Sequence, residues 1–366
     1  MNETAIIHPY IKKSREFKDL LLSEAKSLVK AIDLNIVYSK AVGIDKINPK
    51  TYLRSGFISN LKQIIIDLKV KLTFINACIT PIQQRNLENA TKCKIIDRTG
   101  LILEIFGSRA RSNEGKLSVS LASLKFQKSR LVRSWTHLER QRGGAGFMGG
   151  PGEKQIESDK RQLTESIIRL KKKIDKINKI REIQRYRRIK NNIPIISLVG
   201  YTNSGKSTLF NLLTKSSVLS KNMLFASLDS TIRNGYFNGL KFILVDTVGF
   251  IRDLPTTLID AFKSTLDEII NSDLIIHVRD ISDPQCLNHK IEVLKILDEI
   301  GIDKNDKRIV EALNKADLIE NRINIHNVLS QRSIIISAKN GNGVNLLKER
   351  ILTNLNNHGS KNLLFK

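Results

Sequence analysis

The sixteen residues Ile195-Ile196-Ser197-Leu198-Val199-Gly200-Tyr201-Thr202-Asn203-Ser204-Gly205-Lys206-Ser207-Thr208-Leu209-Phe210 constrain this chain more than any other stretch. An apolar, β-branched run halts at Gly200, and Gly205-Lys206-Ser207 then opens an amphipathic segment carrying Leu209, Phe210, Leu212 and Leu213. This is the strand, glycine loop and helix context of a phosphate-binding loop. In such a loop the backbone around Gly200, Tyr201, Thr202, Asn203, Ser204, Gly205, Lys206, Ser207 and Thr208 converges its N–H groups on phosphate. Lys206 is placed to reach the β- and γ-phosphates, Ser207 to set its hydroxyl on Mg²⁺, and the helix N-terminus adds the positive end of its dipole.

A chain of 366 residues is long enough for two or three domains. Its 41% hydrophobic and 27% charged residues describe an ordinary globular protein, and 7 prolines with 20 glycines argue against extensive disorder. Cys78, Cys93 and Cys286 lie far apart with no His or Cys at metal-ligand spacing, so neither a zinc site nor a disulfide framework is expected. No basic leader precedes an apolar stretch, and no run approaches the roughly 18 apolar residues that span a bilayer. The expected location is the cytoplasm, with a peripheral position at the membrane left open.

Charge divides the chain. Residues 1–192 hold 40 Lys+Arg against 18 Asp+Glu, a net of +22, whereas residues 193–355 hold 19 against 18. A basic half joined to a neutral half points to a polyanion facing the first half, nucleic acid before anything else.

Along the chain, helical spacing over Phe17, Leu20, Leu21, Leu28, Val29 and Ile32 precedes a strand at 35–38. Ile58, Leu61, Ile64, Ile65 and Leu68 share a second helical face, followed by a strand at 71–75. Thr80-Pro81-Ile82-Gln83 is a capping box with proline at the first helical position, and a third short strand sits at 94–96. This alternation predicts a small α/β layer. From Leu117 a long helix is expected, carrying Leu121, Leu124, Leu131, Trp135 and Leu138 up to the glycine-rich segment 143–152. A second helix from Glu153 to Lys190 spaces Leu163, Ile167, Leu170, Ile174 and Ile177 by four, three, four and three, a narrow coiled-coil seam. The two should pack as an antiparallel hairpin. Residues 154–190 contain 14 Lys+Arg against 5 Asp+Glu, so the faces away from the seam are basic and suited to phosphate. Phe147 and Met148 within the glycine tip suit either a linker or a probe inserted into a partner. The expected division is therefore 1–116, an N-terminal α/β layer; 117–192, the basic hairpin; and 193–366, a nucleotide domain.

Four motifs build that last domain. Residues 234–245 form a hairpin about Asn238-Gly239 that delivers Asp246-Thr247-Val248-Gly249. There Asp246 can hold a metal through water, and the Gly249 N–H can approach the γ-phosphate. Further buried strands at 274–278 and 308–313 follow, the second ending in Asn314-Lys315-Ala316-Asp317. The Asp317 carboxylate can accept both the ring N–H and the exocyclic amine of guanine, a donor pair that adenine lacks, with Asn314 and the stem of Lys315 as braces. A strand at 334–336 then delivers Ser337-Ala338-Lys339, suited to offering a backbone N–H to the guanine oxygen. Short motifs of this kind gain their meaning from order, and these stand in the order of a guanine-nucleotide site.

The nucleotide domain resembles the translation-factor-related GTPases, and the remaining segments resemble the HflX family of ribosome-associated GTPases. They are Thr80-Pro81-Ile82-Gln83-Gln84-Arg85-Asn86-Leu87-Glu88, residues 96–106 (IDRTGLILEIF), Gly150-Pro151-Gly152-Glu153 and Asp246-Thr247-Val248-Gly249-Phe250-Ile251. The resemblance implies a P-loop GTPase that binds the large ribosomal subunit and its RNA, helps to split, recycle or rescue ribosomes, and reaches toward the peptidyl-transferase region with its hairpin. Many relatives carry Arg where this chain has Gly149, and many carry a further C-terminal domain.

Phe250 stands where Ras-type GTPases place a water-orienting glutamine, and a phenyl ring can neither accept a proton nor hold water in line. Slow intrinsic hydrolysis stimulated by a partner is expected. Asn203 matches the asparagine that binds K⁺ in potassium-activated relatives, so Lys206, Asn203 and Gly249 are the candidate catalytic positions. Ser207, Asp246 and Thr231, the last within the segment 225–233 that resembles the family's first switch, are the candidate Mg²⁺ positions. A monomer is expected, with GTP and GDP as ligands, and ATP binding by the N-terminal layer is left open. Two other readings stay open: a GTPase of ribosome assembly or transfer-RNA metabolism, and a nucleotide-dependent regulator of a protein partner.

Overall fold

Two α/β sheets carry the chain, each described in a computed structural model for residues 3–12, 17–141, 151–190, 193–215, 224–225, 231–255, 258, 263–319, 330 and 332–359. Two units form, Met1–Ser108 with Lys116–Ile174, and Arg109–Gly115 with Asp175–Lys366.

In the first unit four parallel strands stand in the order β2-β1-β3-β4: β1 (Glu3–Ile11), β2 (Asn35–Ile44), β3 (Leu72–Ile75) and β4 (Lys94–Asp97). The crossovers are α1 (Lys18–Lys30), α2 (Ser55–Asp67) and α3 (Pro81–Thr91). Ile58, Leu61 and Ile65 of α2, one helical face, join Ala5, Ile7, Ile75 and Leu87 in one core. Each such aliphatic side chain contributes about 1.5 to 3 kcal/mol by leaving water. The capping box forms as spelled: the Thr80 N–H donates to Gln83 Oε1 at 2.9 Å, and the Gln83 N–H to Thr80 Oγ1 at 3.2 Å.

Three expectations are corrected here. Strand β1 is absent from the sequence pattern, because Pro9 interrupts a short apolar run. The structure accommodates it: β3 pairs only Thr4 to Ile7, so at Pro9 the strand has only β2 beside it, where a missing N–H is tolerated. The segment after β4 forms α4 (Arg98–Arg109), a helix that periodicity does not reveal because it buries residues nearly all round, Leu101, Ile102, Leu103, Ile105 and Phe106 among them. The apolar faces also end sooner than their spacing suggests, since Phe17, Leu20 and Leu68 are exposed.

Helix α5 (Asn113–Gln141) and helix α6 (Pro151–Lys190) pack through Leu117, Leu121 and Leu124 against Ile167, Leu170 and Ile174, the expected seam. Trp135, Leu138 and the glycine tip with Phe147 and Met148 lie outside the residues whose side chains are described. Within this unit Arg130 of α5 reaches Asp97 at the end of β4, 2.7 Å away, and also Gln84 of α3.

The second unit holds six strands in the order β10-β9-β8-β5-β7-β6. They are β5 (Ile195–Val199), β6 (Thr231–Phe237), β7 (Leu240–Asp246), β8 (Leu274–Asp280), β9 (Ile309–Asn314) and β10 (Ser333–Ile335). All pairs are parallel except edge strand β6, which turns back on β7 through Asn238 and Gly239, both at positive φ. Among the described residues its longer helices are α7 (Lys206–Thr214), α8 (Lys263–Ile270), α9 (Cys286–Glu299) and α10 (Val344–Gly359). Leu209, Phe210 and Leu213 of α7 and Leu347, Ile351 and Leu355 of α10 share one core with Leu198, Leu244 and Ile276. The strand order reverses beside β5, and the candidate site lies at the carboxyl ends of the strands there, where open α/β sheets place ligands. The expected α/β class, with an α/β layer and a helical hairpin ahead of a second α/β sheet, is borne out.

Candidate nucleotide site

Strand β5 is buried at every position, so the loop that leaves it starts from a fixed point. Gly205, at φ +92°, caps α7, and a Cβ on it would lie 2.1 Å from Asn314 Nδ2. Only glycine allows both that backbone turn and that approach. Inside the loop Lys206 folds back, its Nζ donating to the carbonyls of Gly200 at 3.1 Å and Tyr201 at 2.9 Å. Burial lowers its pKa to about 8, against the pull of Asp246 that raises it.

Asp246 ends β7 nearly inaccessible to solvent, and burial raises its pKa while Lys206 and the Ser207 hydrogen bond oppose the rise. The Ser207 hydroxyl donates to Asp246 Oδ2 at 2.7 Å, whereas Asp246 Oδ1 is buried and has no hydrogen-bond partner among the described residues. The hydroxyls of Thr202 and Ser204 are likewise buried and unpartnered among the described residues. Such orphans are costly unless something else meets them. Thr231 starts β6 directly opposite Asp246 in the ladder; residues 226–230 of the expected first switch lie outside the described residues. Asn203 is exposed at φ +63°, and Thr208 is half-buried on the first turn of α7.

After β7, Thr247 spends its hydroxyl on the Leu198 carbonyl at 2.6 Å, and Val248 is half-buried. A Cβ on Gly249 would stand 2.9 Å from Thr202 Cα and 3.0 Å from Lys206 Nζ. Phe250 turns its ring into the core, and its backbone pairs with the loop: its N–H donates to the Gly200 carbonyl at 3.0 Å, and its carbonyl accepts from the Thr202 N–H at 2.7 Å. Tyr201 is buried, stacked on His289 at 3.7 Å between ring centroids, its hydroxyl accepting the Arg252 N–H at 3.0 Å.

The second half of the site closes around Asn314. Its Nδ2 donates to the Ser204 carbonyl at 2.9 Å, and its Oδ1 accepts the Ala338 N–H at 2.9 Å. Of the backbone N–H groups in the 337–339 loop, that of Ala338 is thus engaged by Asn314. Asp317 accepts the Ser337 hydroxyl at 2.6 Å, a bond that holds its carboxyl below the usual range and keeps it an ionised acceptor. Lys315, at φ +66°, forms an ion pair with Asp280, Nζ to Oδ2 2.6 Å. Lys339 is exposed beside them.

Sequence reasoning missed the Phe250 bridge, the Tyr201–His289 stack and Asp280. It also missed a buried ionic group behind the sheet end, where Arg279 and Lys290 both reach Glu311 at 2.5 Å. Asp280 alone carried a signal, since it ends a buried strand just before a turn. His277, opposite Glu311 in the ladder, is fully buried; burial drives its pKa to about 3, Glu311 pulling it up and Arg279, Lys290 and Lys206 pushing it down. Its ring is therefore expected to stay neutral, with NMR shifts flat from pH 8 to 5. Because the unfolded chain takes up this proton near pH 6.5, His277 stabilises the fold fully above that pH. The contribution then falls by about 1.4 kcal/mol per unit as the pH drops toward 3. Replacement by Gln should flatten that part of the stability profile in urea unfolding.

Comparison with known proteins fits this geometry. Three family models match in succession: GTP-binding GTPase N-terminal over residues 20–107, GTP-binding GTPase Middle Region over 109–188, and 50S ribosome-binding GTPase over 195–315. The GTPase HflX of Magnetococcus marinus is 45% identical over 337 residues, spanning 91% of this chain and 77% of that protein. The GTPase HflX of Escherichia coli K12 is 37% identical over 366 residues, spanning 99% of this chain and 85% of its own. This chain belongs to the HflX family of GTPases. As an HflX GTPase it binds and hydrolyses GTP. The crystal structure of the SsGBP and GDP complex is similar at 27% identity and a TM-score of 0.52, covering 96% of this HflX chain and 98% of that one. Among the described residues no helix is long and apolar enough to cross a membrane.

Proposed function

We propose that this HflX GTPase binds the large ribosomal subunit in the cytoplasm and uses GTP binding and hydrolysis to split, recycle or rescue ribosomes. The observation that carries this reading is α6, where Lys160, Arg161, Arg169, Lys171, Lys172, Lys173, Lys176 and Lys179 are all exposed. Glu165 meets two of them, Arg161 at 3.2 Å and Arg169 at 3.9 Å; exposed pairs of this kind contribute little. Phosphate oxygens of ribosomal RNA would neutralise such a surface and release counterions. In this division of labour, 1–116 is an N-terminal platform, 117–192 the RNA-facing hairpin and 193–366 the GTP-binding domain.

Within that domain the backbone of 200–208 would cradle the phosphates, with Lys206 swinging from the loop carbonyls to the β- and γ-phosphates. Asp317 would read guanine while Asn314, Lys315 and the 337–339 loop brace it. The orphaned Asp246 Oδ1 beside the Ser207 hydroxyl suits a hard cation. Ser207, Asp246 through water, and Thr231 would hold Mg²⁺, which would supply positive charge to the phosphates. With the Phe250 ring turned inward, no side chain at that position orients the attacking water, which fits slow intrinsic turnover. Asn203 would hold K⁺ beside the phosphates.

Cosedimentation with large subunits in a non-hydrolysable GTP analogue tests the partner. Binding is expected, dependent on the triphosphate and weakening linearly in log[salt]. Recovery with free transfer RNA instead, or with no ribonucleoprotein at all, would overturn the ribosome reading. Replacing K⁺ by Na⁺ is expected to slow the purified enzyme at least about tenfold, on the scale at which added positive charge stabilises phosphoryl transfer. An unchanged rate would remove potassium from the mechanism.

A further inference from the structure

The Asn314–Asp317 loop contains a residue that does not belong in its backbone conformation. Lys315 sits in the left-handed region at φ +66°, which costs a residue with a Cβ energy and persists only where the surroundings impose it. It also begins the short 3₁₀ turn Ala316–Leu318 that carries Asp317, so its backbone sets where that carboxylate stands.

What holds Lys315 comes from the neighbouring strand. Asp280, the last residue of β8, lies opposite Asn314 in the parallel ladder, and the next N–H, of Ile281, donates to the Asn314 carbonyl at 3.1 Å. Asp280 Oδ2 takes Lys315 Nζ at 2.6 Å. Oδ1 is anchored separately, accepting the Ser282 hydroxyl at 2.6 Å and the Ser282 N–H at 3.0 Å. The lysine and aspartate side chains are only 23% and 15% exposed, so the pair is screened far less than a surface ion pair. A carboxylate with one oxygen tied to its own turn and the other tied to Lys315 is a fixed post.

We propose that Asp280 is a positioning residue for base recognition: by anchoring Lys315 it imposes the strained start of the Ala316–Leu318 turn, lays the lysine stem as a wall for the base, and so sets guanine selectivity. The inference rests on reading Asn314 to Asp317 as the base-recognition loop. Asp280 touches no nucleotide in this scheme; it acts only through Lys315.

The experiment uses the full chain with Mg²⁺ and measures dissociation constants for GDP and for inosine diphosphate, which lacks the 2-amino group that Asp317 would bind. Asp280→Asn removes the charge with little change of shape. GDP affinity is expected to fall about tenfold, inosine diphosphate affinity much less, so that the preference between them shrinks; a buried charged hydrogen bond is of that order. Asp280→Glu should restore part of the preference. Lys315→Met breaks the same pair from its other end, and combining it with Asp280→Asn should cost no more than the larger single effect. An unchanged GDP preference in Asp280→Asn, or strictly additive effects, would overturn the proposal. Should Asp280→Asn fail to fold, Lys315→Met decides it by the same ratio. A wild-type protein that binds both diphosphates equally would instead overturn the base-loop reading itself, and this inference with it.

Discussion

Asp317→Asn is expected to lower GTP affinity at least about a hundredfold while raising affinity for xanthosine triphosphate. The carboxylate would accept two guanine hydrogen bonds, and each hydrogen bond to a charged group is worth about 1.5 to 3 kcal/mol. An amide offers one acceptor and one donor, so it meets the guanine amine with a like group. Xanthine carries an oxygen where guanine carries that amine, and the donor of the introduced amide then finds an acceptor. The Ser337 hydroxyl, which now keeps Asp317 ionised, can turn to serve either side chain. Competition binding with the two triphosphates reads the inversion directly. A variant that loses GTP without gaining the xanthine nucleotide would show that Asp317 supports the loop rather than reads the base.

Gly205→Ala should be as damaging by a different route. The new methyl carbon would stand 2.1 Å from Asn314 Nδ2, and the residue would remain at φ +92°. Asn314 would have to give way, breaking its bond to the Ser204 carbonyl and loosening its hold on the Ala338 N–H. A buried group left without its partner costs about 1 to 3 kcal/mol, and the backbone strain adds about 1 to 2 kcal/mol. Nucleotide affinity is expected to drop at least about a hundredfold, since every 1.4 kcal/mol is a factor of ten. Fluorescent GDP binding checks the first effect, and urea unfolding shows a lower midpoint for the second unit. Affinity within threefold of the wild type would mean that Asn314 does not tie the two loops together.

Local spelling made much of this legible. The Thr80–Gln83 capping box and the Asn238-Gly239 hairpin are decided by neighbours within a few residues and the 167–174 face of α6 by its own spacing, and each forms where its residues point. Strand β1 was hidden because a proline counts against a strand until the partner strands are known, and β3 stops short of Pro9. Helix α4 was hidden because burial on most sides erases helical periodicity. The order of motifs around the candidate site could be read, but what holds each motif in place could not. Lys315 meets Asp280 across thirty-five positions of sequence, and Phe250 meets Gly200 across fifty; no spacing rule reaches so far.

Asn314 also sets a timetable. It joins a carbonyl 110 positions upstream to an N–H 24 positions downstream. During synthesis, then, the phosphate loop can fold long before anything completes the pocket beside it. On the proposed reading, until residue 338 has left the exit tunnel the emerging chain would carry a phosphate cradle whose base-reading side is incomplete. The hairpin emerges before the base-reading loops, so on the proposed reading a nascent copy would meet polyanions well before it could be switched by GTP.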